Sequence, residues 1–529
     1  MFRRIFKMLQ FKQHCSKKPN KSAANDQQAK NETPVSNNLT RNIAHIRQTL
    51  GDSGDVKIYS FSFGQRGNAQ GTLLYIDGLV NTTTVTQTIL APILAYRYKD
   101  SGMPSSMEEL RRAVLCSADV MEENTLDKLI EGCLSGDTVL LAEGFACGLV
   151  ISTKGWEKRN VTEPPSESVV RGPREGFTED FRTNTALLRR RVKSPQLRLD
   201  HMVIGRKTKT NVCVAYLHGV ADKKIVETVK NRLNALEIDS IIDTGYIEQY
   251  IEDSPFSIFP TIGYSEKPDV ITGRILEGRV AIIADGSPFV LTAPMLFIES
   301  FQTGEDYYVR TIYASMIRVL RLIAFTLTVF APALYIALTT FHQELIPTTL
   351  LYSIADAREG TPFPAFIEAL ILVFAFEILR EAGVRLPRPV GQAISIVGAL
   401  VMGEAAVSAG LVGAPIVITI AITAVAGFVV PSQADAAAII RIVAMIFAAT
   451  LGGYGITMVF LALLINLATL QSFGIPYYET VKATRDLQDS YIRMPLWKMN
   501  QRPKHIAQGD ITRRKGVKPP PSGSKEGAS

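Results

Sequence analysis

The chain has 529 residues, a formal net charge of +7 and an isoelectric point near 9.0, with 47% hydrophobic residues and a mean hydropathy of +0.13. That length accommodates two or three domains, and the basic balance does not by itself point to nucleic acid. Lys and Arg concentrate at both ends and beside the apolar runs, which is the pattern of membrane orientation.

Nearly all long apolar runs lie between about residues 319 and 471, so the averages conceal a polar half and a membrane half. Five cysteines, Cys15, Cys116, Cys133, Cys147 and Cys213, all precede the membrane half, are odd in number and include no Cys-x-x-Cys pair. They read as reduced core residues of a cytoplasmic region. Residues 1–40 begin with MFRRIFKMLQFKQHCSKKPN, a basic stretch with Phe2, Ile5, Phe6 and Leu9 at helical spacing and no apolar core long enough for a secretory signal. A surface-lying membrane helix and a frayed basic tail both fit the first twenty residues, and the Lys-, Asn-, Gln- and Ser-rich stretch after them predicts disorder.

From about residue 41 to 300, β-rich runs alternate with charged helical stretches, as in an α/β region. Within it the chain resembles itself. GTLLYIDGLVN (71–81) pairs with NVCVAYLHGVAD (211–222), and GDTVLLAEGFACGLVIST (136–153) with GRVAIIADGSPFVLTA (278–293). Gly78 and Gly144 are 66 residues apart, Gly219 and Gly286 are 67. The reading is two tandem α/β modules, 41–155 and 197–300. Asp77 and Asp285 are expected at equivalent post-strand turns, where Asp-Gly is good turn chemistry.

The linker, 156–196, contains RGPREGFTEDFRTNTALLRRRVKSP; Pro and Gly break its first half, and Phe181 to Val192 then predicts a helix. Its Arg189, Arg190 and Arg191 suit a solvated connector or, through bidentate pairing, a contact between subunits. Nucleic-acid binding ranks last.

No phosphate-binding Gly-rich loop, Gly-x-Ser-x-Gly elbow or His-Glu-x-x-His motif occurs, and the six His are scattered. The expectation is no enzyme, no metal and no cofactor.

The region 301–475 carries apolar runs at about 319–341, 364–380, 390–410, 412–430 and 437–471, the last better split at Gly452-Gly453-Tyr454-Gly455. Six membrane segments put both basic flanks, including the tail 476–529, on the cytoplasmic side; four spans plus shorter inserted helices also fit. Charges within such runs normally face protein or water. Glu368 and Glu377 are nine residues apart, on opposite helix faces, and Glu377 is read as pairing near Arg380. Glu368 and Glu404, with Asp356 and Glu359 in the preceding loop, are candidates for an acidic, cation-attracting mouth around an axis, or for hydrogen bonding between helices. Gly391, Ser395, Ala399 and Gly403 recur every four positions, as do Ala444, Ala448 and Gly452, giving close helix seams.

Four stretches, RGPREGFTEDFRTNTALLRRR, PTIGYSEKPDVITGRILEGRVAIIADGSPFVLTAP, FEILREAGVRLPRPVGQAISIVGALVMGEAAVSAGLV and FGIPYY, resemble the A subunit of GerA-type spore germinant receptors. The resemblance runs from about residue 40 to 500. It implies an inner spore membrane protein working with a transporter-like B subunit that binds the germinant and a lipoprotein C subunit, and assembling as a homo-oligomer, a pentamer, around a cation channel. Two alternatives stay open, a non-conducting scaffold subunit and the related A-type protein that amplifies dipicolinic-acid release. No catalytic residue is implied. The Asp285-Gly286-Ser287-Pro288 turn, with Glu266 in the preceding loop, is expected to form an assembly surface coupling the second module to the first membrane helix, or else to serve the hairpin's folding alone.

Overall fold

The computed structural model of the chain describes residues 33–64, 69–95, 106–114, 119–155, 167, 169–385, 403–478, 489–503, 506–507, 509–510 and 512–513. The chain divides into two compact units, Met1–Trp156 and Glu157–Ser529.

The first unit holds α1 (Leu39–Leu50) and a five-stranded sheet of β1 (Val56–Phe63), β2 (Ala69–Ile76), β3 (Val120–Glu123), β4 (Thr138–Ala142) and β5 (Gly148–Ile151) in the order β1-β2-β4-β5-β3. Every pairing is antiparallel. Its central strand, TVLLA, is buried at all five positions, which is why it reads as a continuous apolar run rather than an alternating one. Helical residues Val85, Ile89, Ile93, Met107 and Leu110 pack one face of the sheet, and α2 (Leu126–Leu134) carries a second buried row, Leu126, Leu129, Ile130 and Cys133.

The second unit begins with α3 (Phe181–Arg191), whose start is capped by Asp180 accepting from the Thr183 N–H at 2.6 Å. Its sheet comprises β6 (Leu197–Ile204), β7 (Thr210–Leu217), β8 (Gly263–Ser265), β9 (Val280–Ala284) and β10 (Val290–Ala293), in the order β6-β7-β9-β10-β8 and again antiparallel throughout. The strand order repeats that of the first sheet position by position, so the internal sequence similarity is a duplication of topology. The paired glycines behave alike: Gly144 and Gly286 lie at φ +87° and +84°, a left-handed conformation that L side chains rarely adopt. One detail of the sequence reading is corrected. The counterpart of Asp285 is Glu143, after the central strand of each sheet, whereas Asp77 follows β2 and corresponds to His218. Helices α4 (Lys223–Asn234) and α5 (Thr244–Ile251) cover one face of the second sheet, and α3 with α6 (Pro268–Leu276) the other.

The described part of the apolar half is helical. It contains α7 (Thr311–Thr340), α8 (Thr348–Asp356), α9 (Ala365–Arg385), α10 (Ala414–Gly427), α11 (Ala434–Leu451) and α12 (Gly453–Thr469). Among the described residues two helices, Thr311–Thr340 and Pro431–Leu451, are long and apolar enough to cross a bilayer. At 1.5 Å per residue, the 14 residues of α10 reach about 21 Å, less than a hydrocarbon core of about 30 Å. The 437–471 run does break at Gly452, which leaves the helix at φ +61° and where an added Cβ would meet the Phe341 side chain at 2.9 Å. Ala444 and Ala448 are fully buried, as a close seam requires; Gly391, Ser395 and Ala399 lie outside the described residues.

Candidate functional site

The Asp285–Pro288 turn joins β9 to β10 in an antiparallel hairpin whose register pairs Leu291 with Ile282. Its backbone is held from both sides, the Asp285 N–H donating to the Asn211 carbonyl and the Gly286 N–H to the Glu179 carbonyl, each at 2.9 Å. Ser287 is fully buried. Its hydroxyl donates to the Asp243 carboxylate, lies 3.2 Å from the Thr244 hydroxyl and accepts from the Phe289 N–H at 3.3 Å. Asp243 also caps α5, accepting from the Gly245 N–H at 3.1 Å. Ser287 is therefore the peg that fixes the hairpin tip to the start of a helix.

Of the residues expected at an assembly surface, three are interior to their own module. Ser287 is 0% exposed, Arg189 1% and Glu266 5%. Arg189 donates to the Leu197 carbonyl at 3.1 Å and the Ser194 carbonyl at 3.4 Å, closing the turn from α3 into β6. Arg190 and Arg191 clamp one carboxylate, Glu175, at 3.0 and 2.7 Å. The Glu266 backbone carbonyl accepts from the Phe177 N–H at 2.7 Å and ties the linker to the module. Nearby, burial raises the Glu167 carboxyl against the Ser265 hydroxyl, which donates to it at 2.7 Å, and the charges of Arg274 and Lys267. Gly286 is exposed, and Asp285 and Pro288 are half-buried.

The junction between the second module and α7 is a polar knot that the sequence reading did not anticipate. Arg318, 2% exposed, donates through Nε to Asp306 at 2.9 Å and through Nη1 to Asp489 at 3.1 Å. Arg321 shares Asp306 at 2.9 Å. Tyr307 donates to Asp489 at 2.9 Å, and Arg493 reaches the carbonyls of Val309 and Tyr307. Burial and the neighbouring Glu277 charge push the Asp489 carboxyl up to about 6. Arg318 was legible only as orienting charge; its partners lie 12 and 171 residues away.

The chain after α12 turns back into the second module. FGIPYY forms the tip and return strand of a small hairpin, β11 (Gln471–Ser472) with β12 (Ile475–Pro476). Phe473 and Ile475 enter the module core, and Tyr477 packs with Phe259 and Phe297 under the helices. The Ser472 hydroxyl donates to the Thr261 carbonyl at 2.7 Å and accepts from the Met295 N–H at 3.1 Å. Further on, Ile506 and Ala507 are fully buried in opposite faces of the same module.

At the far end of the helices, Glu368 is 0% exposed. It accepts from the Gly413 N–H at 3.0 Å and the Thr361 hydroxyl at 3.3 Å, and pairs with Arg358 at 3.5 Å. This ties the first turn of α9 to the N-cap of α10. Asp356, Glu359 and Glu404 are exposed; the backbone places Gly410, in the turn after the Glu404 helix, beside Gly360, in the turn that carries Glu359. Glu377 pairs with Arg380 at 2.7 Å, as expected, and also with Arg441 on α11. Arg441, 3% exposed, was missed; a lone Arg inside an apolar run was the available signal. Among the described residues no three His, Cys, Asp or Glu side chains gather as a metal site.

The chain is 42% identical over 507 residues to spore germination protein KA of Bacillus subtilis (strain 168), covering 94% of this chain and 92% of that protein. It is 40% identical over 481 residues to the uncharacterized membrane protein YfkQ of the same organism, covering 90% and 93%. The crystal structure of the N-terminal domain of the A subunit of the Bacillus megaterium spore germinant receptor GerK3 aligns at 34% identity and a TM-score of 0.42, covering 50% of this chain and 98% of that one. Residues 44–505 match the family model described as Bacillus/Clostridium GerA spore germination protein, and the chain belongs to that family.

Proposed function

We propose that the chain is the A subunit of a nutrient germinant receptor in the inner spore membrane, associating with further copies of itself, a transporter-like B subunit and a lipoprotein C subunit to gate a cation channel. The observation that carries the reading is the family match over residues 44–505, which spans both modules and the apolar helices together. The exposed carboxylates Asp356, Glu359 and Glu404 support an acidic mouth contributed by several chains. The surface part of the β9–β10 turn, Asp285, Gly286 and Pro288, with the partly exposed Arg190 and Arg191, is the portion of the expected assembly surface that a neighbouring copy can reach.

A non-conducting scaffold is the second reading, favoured by Glu368, which is consumed by contacts within its own chain. Native mass of the full chain in nanodiscs, followed by single-channel recording of Glu404→Lys and Glu359→Lys, separates the two. A ring whose cation conductance falls with charge reversal supports the channel and its acidic mouth, a conducting ring unaltered by charge reversal keeps the channel but removes these carboxylates from its mouth, and a ring without conductance supports the scaffold. A monomer refutes a channel made of this chain alone.

A further inference from the structure

We infer that the turn at residues 254–257 is a lipid-contacting prong, which sets the Phe256 ring into the bilayer interface beside α12. The inference rests on reading the apolar helices as membrane spans. Phe256 is 100% exposed. It stands at the third position of a turn closed by the Ser257 N–H donating to the Ser254 carbonyl at 2.9 Å, with Pro255 ahead of it fixing the backbone.

The height of this turn follows from its neighbours. Three residues on, Phe259 is 2% exposed and meets Phe297 edge-on at 5.8 Å; Phe297 meets Phe325 of α7 at 6.2 Å. Phe325 is one helical turn past Arg321, where the uninterrupted apolar part of α7 begins. Three residues span at most about 11 Å, so the Phe256 backbone lies within that distance of Phe259, the first ring of this aromatic chain to α7. Ile258, between them, packs on the same core as the apolar helices.

The chain leaving α12 brackets the turn from the other side. The Asp253 carboxylate accepts from the Gly474 N–H at 3.4 Å, and the Thr261 carbonyl accepts from Ser472. The turn thus stands beside the chain that leaves α12, with the Phe256 ring free of protein contact. An aromatic ring at that depth has the headgroup region as its natural solvent. The second module is then anchored to the bilayer by a side chain as well as by its covalent connections.

The test is tryptophan fluorescence of the full chain in nanodiscs, with Phe256→Trp in a Trp156→Phe, Trp497→Phe background and lipids brominated near the top of the acyl chain. Phe256 makes no buried contact, so the replacement should preserve the melting temperature. Emission reduced at least twofold by the brominated lipid, and insensitive to iodide, is the expected result. Emission quenched by iodide alone means that the ring faces water, and emission reached by neither quencher means that protein covers it; each overturns the inference. Ile323→Trp on α7, in the same background, reports the membrane reading separately. If it is quenched while Trp at 256 is not, only the prong fails, and if neither is quenched the membrane reading falls and takes the prong with it.

Discussion

Replacing Glu368 with Ala distinguishes a structural latch from a pore-lining carboxylate. The side chain is fully buried, and its loss leaves the Gly413 N–H without its 3.0 Å acceptor and Arg358 without its 3.5 Å counter-ion. Breaking a buried pair from one side costs about 3–5 kcal/mol. Arg358 is 24% exposed and regains some hydration, which places the expected loss near the lower figure. For a unit of this size each kcal/mol lowers the melting temperature by about 2 °C, so Glu368→Ala should melt about 6 °C below the parent in detergent. Glu368→Gln keeps an acceptor for Gly413 and the packing volume, and should lose roughly half as much. A Glu368→Ala chain with an unchanged melting temperature and an altered cation conductance would refute the latch and return this carboxylate to the ion pathway.

Ser287→Ala removes the hydroxyl shared by Asp243, Thr244 and the Phe289 N–H, and should cost about 1–3 kcal/mol; thermal unfolding of the full chain measures it, and a neutral result would leave the hairpin tip held by its backbone alone. Burial, then the charges of Glu252 and Asp243, raise the Glu248 carboxyl from 4.5 to about 7. A raised folded pKa means that this group's contribution to stability is complete below about pH 4.5 and is lost as pH rises toward 7. Glu248→Gln should therefore raise the melting temperature at pH 8 and leave it nearly unchanged at pH 4.5, and equal effects at both would contradict the assignment. Ile506→Asp places a charge in the core of the second module. It should release the C-terminal segment, so that limited trypsin digestion cuts after Arg513 faster than in the parent; an unchanged cleavage rate would show that the segment is held without Ile506.

Much of the architecture is local enough to be read from the residues. Strand-like apolar runs, the Asp-Gly and His-Gly turns and their near-identical spacing announce two copies of one module, because central strands such as VAIIA are buried on both faces and turns need glycine at positive φ. The helix at residues 181–191 was visible as the unbroken stretch that follows the linker's Pro and Gly residues, and the break at Gly452 from its run of glycines. The sites were less legible. Exposed turn chemistry and a run of arginines look alike whether a side chain faces a partner or its own fold. Ser287 and Arg189 proved to be internal because α5 and β6, distant in sequence or folded back upon it, supply their partners.

The sequence by itself determined the duplicated module, the division into a polar and an apolar half and the family, since each depends on periodicity, composition and motifs read along the chain. Only the tertiary structure decided that Glu368 bonds the Gly413 N–H, that Arg441 answers Glu377, that Asp489 closes a knot around Arg318, and that FGIPYY and Ile506 complete the second module from beyond the last apolar helix. Those are pairings across 45 to more than 200 residues. A buried charge or a core-filling Phe declares by its type that it needs a partner, but the folded chain selects which one.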